Sequence, residues 1–84
     1  MGIQLAHAGR KAATRPPWLG RSPLSREEGG WQTVAPSEVP HDGLPVPHAL
    51  TTSEIADVVD NFVQAAQRAI KAGFQVIEIH AAHG

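Results

Sequence analysis

Eighty-four residues with seven Lys or Arg against eight Asp or Glu, a net charge of −1, argue against nucleic acid as the main partner, since backbone recognition runs on excess positive charge. No apolar run reaches the ~20 residues of a membrane span or forms a secretory signal, and without cysteine there is neither a disulfide framework nor a thiolate metal site. The length suits one small domain or part of a larger one, and a parallel sheet needs more material than this to cover both of its faces.

The charge is unevenly spread. Arg10, Lys11, Arg15, Arg21 and Arg26 all precede the first acid, Glu27. An acid-free, basic N-terminus is one mark of an organellar transit peptide. The cysteine-free composition fits a reducing compartment, and the cytoplasm is the location expected. Met1-Gly2 opens like a myristoylation site, but Ala6 stands where a hydroxyl residue is required.

Taken in chain order, residues 2–8 form a first short strand. Gln4 and Ala6 point to one face and Ile3, Leu5 and His7 to the other, and Gly9 ends it. Residues 11–50 then hold all seven prolines and both tryptophans. Pro16-Pro17, Gly29-Gly30 and Pro45-Val-Pro47 do not fit inside regular elements, so this is a long loop. Loops of such length are lids or linkers. Trp18, Leu19, Trp31 and Val34 give this one something to pack with, which favours a partly ordered lid.

At Thr51 the pattern changes. Thr51 and Glu54 make a capping box, in which each side chain satisfies a backbone N–H left over at a helix start. Ile55, Val58, Val59, Phe62, Ala66, Ala69 and Ile70 recur at three- and four-residue steps, which defines a helix over 52–72 with one apolar stripe. Arg68 and Lys71 sit near its C-terminal end, where the dipole favours cations, and Gly73 offers a left-handed cap.

Residues 74–80, Phe74-Gln-Val-Ile-Glu-Ile-His80, are a second strand. Phe74 and Val76 lie on one face and Ile77 and Ile79 on the other, and apolar residues on both faces suit a parallel sheet covered by helices. Glu78 and His80 share the face of Phe74 and Val76, so polar groups gather where this strand stops. In barrels and open α/β sheets that end is where ligands bind. A strand, a long connection ending in a helix and a second strand make one right-handed βαβ unit. Both of its strands keep an open edge, so the α/β unit reads as a piece of a larger barrel.

Three segments carry a family resemblance, in family order and across nearly the whole chain. They are Gln4-Leu-Ala-His-Ala-Gly-Arg-Lys11, Gly30-Trp-Gln-Thr-Val-Ala-Pro-Ser37 and Ala72-Gly-Phe-Gln-Val-Ile-Glu-Ile-His-Ala-Ala-His-Gly84. Together they resemble the Old Yellow Enzyme family, NADH:flavin oxidoreductases on a (β/α)8 TIM barrel, and within it the bacterial xenobiotic-reductase or "thermophilic-like" branch. The resemblance implies that residues 1–84 are about the third strand, third helix and fourth strand of an FMN-dependent NAD(P)H oxidoreductase. Such an enzyme is an ene-reductase acting on small electrophilic alkenes (enones, enals or nitro compounds), and the parent is compatible with a homo-oligomer.

Carried over by motif, Gln4 matches the glutamine that hydrogen-bonds the polar edge of the flavin, a job an amide can do because it both donates and accepts. Read from the residues alone, Gln4 is more readily a strand-end glutamine facing solvent. His80 and His83 match the pair that binds the substrate's acceptor oxygen. Two N–H donors aimed at one oxygen stabilise the charge that develops there, by about 1.5–3 kcal/mol each. The rival readings are a metal pair, which lacks a third ligand of obvious spacing, and one structural histidine beside one exposed one.

His7, Arg10 and Lys11 also match the family pattern. His7 is expected to be a buried packing residue, Arg10 to contact a backbone carbonyl or an acid, Lys11 to be solvated, and His41 and His48 to lie on the surface. The family's usual proton donor is a tyrosine, and this chain has none. Nothing in it is a phosphate cradle, so the chain by itself is expected to be inactive. The alternatives are a truncated, inactive paralogue or partner-dependent interaction piece, and a small metal-binding protein.

Overall fold

A computed structural model describes residues 1–82. Two compact units result, one built from residues 1–7 and 51–82 and the other from residues 8–50.

The first unit contains strand β1 (Gly2–Leu5), helix α1 (Thr52–Lys71) and strand β4 (Val76–Ile79). Both strands are shorter than the 2–8 and 74–80 expected from alternation. Pairing fixes their ends, since a residue counts as strand only where the neighbouring chain offers it a partner. β1 and β4 pair in parallel, with Gly2 opposite Val76, Ile3 opposite Ile77, Gln4 opposite Glu78 and Leu5 opposite Ile79. The Gln75 N–H extends the ladder at one end by donating to the Met1 carbonyl (3.0 Å), and the His80 N–H extends it at the other by donating to Leu5 (2.9 Å).

Both ends of α1 are closed by local chemistry. At the start, Thr51 Oγ1 accepts from the Glu54 N–H (3.1 Å) while Glu54 Oε1 accepts from the Thr51 N–H (3.0 Å). At the finish, Phe74 N–H donates to Ala69 O (3.1 Å) and Gly73 N–H to Ile70 O (3.0 Å). These are the two bonds of a Schellman cap, and Gly73 sits at φ 99°, where a side chain would be strained.

The helix packs on β1. Its sequence stripe, however, is wider than the face it uses. Ala69 is buried and Val58, Phe62, Ala65 and Ala66 are half-buried, whereas Ile55, Val59, Val63 and Ile70 remain exposed. Two strands are too narrow to cover an apolar arc of more than ~100°. On the sheet, Ile3, Leu5 and Ile77 are half-buried, but Val76 and Ile79 each keep 63% of their surface.

The second unit carries short paired elements and turns within the long, partly ordered loop expected over 11–50. Arg15 N–H donates to Ser22 O and Leu24 N–H to Ala13 O, both at 2.9 Å, so residues 13–24 double back on themselves. Two-residue strands β2 (Val34–Ala35) and β3 (His48–Ala49) pair in parallel. Three short 3-10 turns, Gly9–Lys11, Pro17–Leu19 and Arg26–Glu28, fill the intervals.

Trp18, Leu19 and Trp31 do not form the core of this unit, since they are 81%, 61% and 60% exposed. Ala13, Thr33, Ala35 and the fully buried Pro47 do. Tight turns bring backbones so close that only small side chains fit between them. Gly30 is the extreme case: a Cβ there would lie 2.3 Å from the Leu24 carbonyl oxygen.

Candidate functional site

Parallel pairing puts the C-terminal ends of β1 and β4 side by side. Because Gln4 and Glu78 are register partners, their side chains emerge on the same face, and Gln4 Nε2 donates to Glu78 Oε1 at 2.5 Å. His80 follows two residues after Glu78, so alternation returns it to that face one step nearer the strand ends. Its backbone is held by the bond to Leu5 and it is half-buried. Gln4 and Glu78 thereby meet on one face, and alternation along the chain assigns His80 to the same face. His83, the second expected substrate ligand, lies outside the described residues.

The cluster is chemically asymmetric. Glu78 occupies one N–H of the Gln4 amide, and the amide has a carbonyl oxygen and a second N–H besides. An acceptor beside a donor is what the polar edge of a flavin ring requires, so the residues present fit that edge. They do not fit the phosphate. The N-terminus of α1 would be the natural anion site, but Thr51 and Glu54 already cap it.

Other sequence candidates are placed differently. His7 is exposed rather than buried. It lies at the rim of a cavity of about 210 Å³ with Leu5, Val58, Asn61, Phe62 and Ala65, because β1 ends at Leu5 and releases the backbone before residue 7. Arg10 makes the backbone contact expected of it: Nη1 donates to the Val39 carbonyl, and Nη2 donates to Ser37 Oγ at 3.3 Å. Lys11, His41 and His48 are exposed. Among the described residues, no three His, Cys, Asp or Glu side chains converge as metal ligands, and no helix is long and apolar enough to cross a membrane.

Sequence reasoning missed two contacts. One is the Gln4–Glu78 pair; alternation gives each residue's face, but the register that joins them is a property of the folded sheet. The other is the ion pair of Arg15 with Glu28, two charges thirteen positions apart. Glu28 also accepts from the Ser25 N–H (3.2 Å) and hydroxyl (3.0 Å). Those two bonds, and then the Arg15 guanidinium, hold its carboxyl below the usual value of 4.5.

Residues 1–84 match the NADH:flavin oxidoreductase / NADH oxidase family throughout. The chain is 51% identical over 89 residues to an NADH:flavin oxidoreductase of Gibberella zeae, an alignment covering 100% of this chain and 22% of that protein. It is 44% identical over 85 residues to an NADPH dehydrogenase of Geobacillus thermodenitrificans (100% and 21%). With an NADPH dehydrogenase of Listeria monocytogenes it shares 48% over 84 residues (99% and 20%). Fungal and bacterial proteins are thus both among its relatives. The chain spans about a fifth of the length of these curated relatives.

Proposed function

The chain belongs to the NADH:flavin oxidoreductase / NADH oxidase family, and on that premise we propose that it is one strand–helix–strand segment of a (β/α)8 barrel, within an FMN-dependent NAD(P)H oxidoreductase that reduces activated C=C bonds. The observation that supports this best is the register of β1 against β4, which brings Gln4 and His80 to the same end and face of one parallel sheet. The exposed apolar side chains of α1, with Val76 and Ile79 of the sheet, are what a barrel segment would offer to neighbouring elements.

When bound, FMN supplies the hydride that it receives from NAD(P)H. The chain's own residues bind and orient. Gln4 offers its carbonyl oxygen and second N–H to the polar edge of the flavin. His80, with His83, donates N–H groups to the carbonyl or nitro oxygen of an enone, enal or nitro-alkene. Each such bond stabilises developing negative charge by about 1.5–3 kcal/mol. A chain without tyrosine leaves protonation of the product to groups elsewhere in the whole protein.

The test uses the intact flavoprotein that carries this segment. The His80→Ala, His83→Ala double variant should retain FMN and lose turnover of a cyclic enone by at least a hundredfold, about what two lost charge-stabilising bonds imply. Turnover at the parent rate would overturn the assignment.

A further inference from the structure

Gln4 carries the cofactor role in the proposed function, yet an amide is a poor positioning device by itself. Its two ends are nearly the same shape, and rotation by 180° exchanges acceptor for donor. Something must choose between them. The sheet provides that choice: Glu78 stands directly opposite Gln4 in the register, and its carboxylate takes the amide N–H at 2.5 Å.

We infer that Glu78 is a positioning residue, whose carboxylate fixes the Gln4 amide so that its carbonyl oxygen faces the flavin. This rests on the reading of Gln4 as a flavin contact. An ionised carboxylate has lone pairs and no proton, so it accepts from Nε2 and repels Oε1. The flipped amide would set two acceptors against each other and forfeit a charge-assisted hydrogen bond. Backbone pairing holds both residues in place, because Gln4 and Glu78 lie inside a ladder continued by the Gln75–Met1 and His80–Leu5 bonds. The two side chains therefore meet without any loop having to close. His80 stands on the same strand two residues later, so one short strand would orient the cofactor through Glu78 and grip the substrate through His80.

A double-mutant cycle on FMN affinity, measured by titrating the apo form of the intact flavoprotein, tests this. Glu78→Gln keeps the shape but accommodates either amide orientation, and it should raise the FMN dissociation constant roughly tenfold, the scale of a hydrogen bond to a charged group. Gln4→Ala should weaken FMN at least as much. In the Gln4→Ala background, adding Glu78→Gln should change nothing further, because a group acting through another is silent once that other is gone.

Equal losses from Glu78→Gln in both backgrounds would overturn the inference and make Glu78 an independent structural residue. Unchanged FMN affinity in Glu78→Gln beside a weakened Gln4→Ala would overturn it too, leaving the Gln4 assignment intact. Unchanged affinity in Gln4→Ala would overturn that assignment and the inference with it. If Glu78→Gln does not fold, Glu78→Asp serves instead. It keeps the charge but is one methylene too short for the contact, so a partial loss of affinity supports the inference and parent affinity overturns it.

Discussion

The His80 N–H donates to the Leu5 carbonyl at 2.9 Å, one residue past the last paired position of β4. That bond ties the first substrate-binding candidate to the end of the strand that carries Gln4. The backbone of His80 is thus held by sheet pairing, through a bond that a change of side chain leaves in place.

His80→Ala should therefore leave the fold of the intact flavoprotein unaltered. Removing one N–H donor to the substrate oxygen should lower kcat roughly ten- to a hundredfold. Circular dichroism should be unchanged while enone turnover falls. Loss of the FMN signal in this variant would mean that the imidazole supports the cofactor and not the substrate.

The reciprocal cap of Thr51 and Glu54 predicts a helix-specific loss. Thr51→Ala should destabilise the protein by about 0.5–2 kcal/mol, whereas Thr51→Ser should stay close to the parent. Thermal unfolding of the two variants checks this.

Glu28 should titrate below its ordinary value, because the folded unit stabilises its ionised form. A depressed carboxyl pKa contributes stability above the unfolded value that is lost as pH falls through the folded one. The Arg15–Glu28 clasp should accordingly hold above about pH 4.5 and open on further acidification. Carboxyl carbon shifts followed by NMR should show a midpoint below 4.5, moving upward in Arg15→Ala.

Ile55, Val59, Val63 and Ile70 line one side of α1 and stay exposed. The 84-residue chain produced alone should then bind a hydrophobic dye and self-associate, since contiguous apolar surface of this kind drives association. Val59→Asp with Ile70→Ser should reduce both effects in the isolated chain. In the intact flavoprotein the same pair should cost stability, as expected where neighbouring elements cover those positions.

Local elements were legible because their causes are local. Thr51 and Glu54 reach each other within one turn, Gly73 needs only its own φ, and period-two alternation already puts Glu78 and His80 on one face. The Arg10 contact to a backbone carbonyl was also expected, though not which carbonyl.

What the tertiary structure alone decided depends on distance along the chain. Gln4 and Glu78 are 74 residues apart, and nothing in either strand states the offset at which they pair. A slip by one would have sent Glu78 to the other face. Burial was decided in the same way: the apolar stripe of α1 shows what the helix is able to cover, but only the width of the paired strands sets how much of it is used. In residues 8–50 the indoles offered something to pack with, yet tight backbone turns bury Ala13, Thr33, Ala35 and Pro47 while Trp18 and Trp31 stay exposed. The amino-acid order determines faces and caps, whereas register and the space between chains emerge only when distant segments meet.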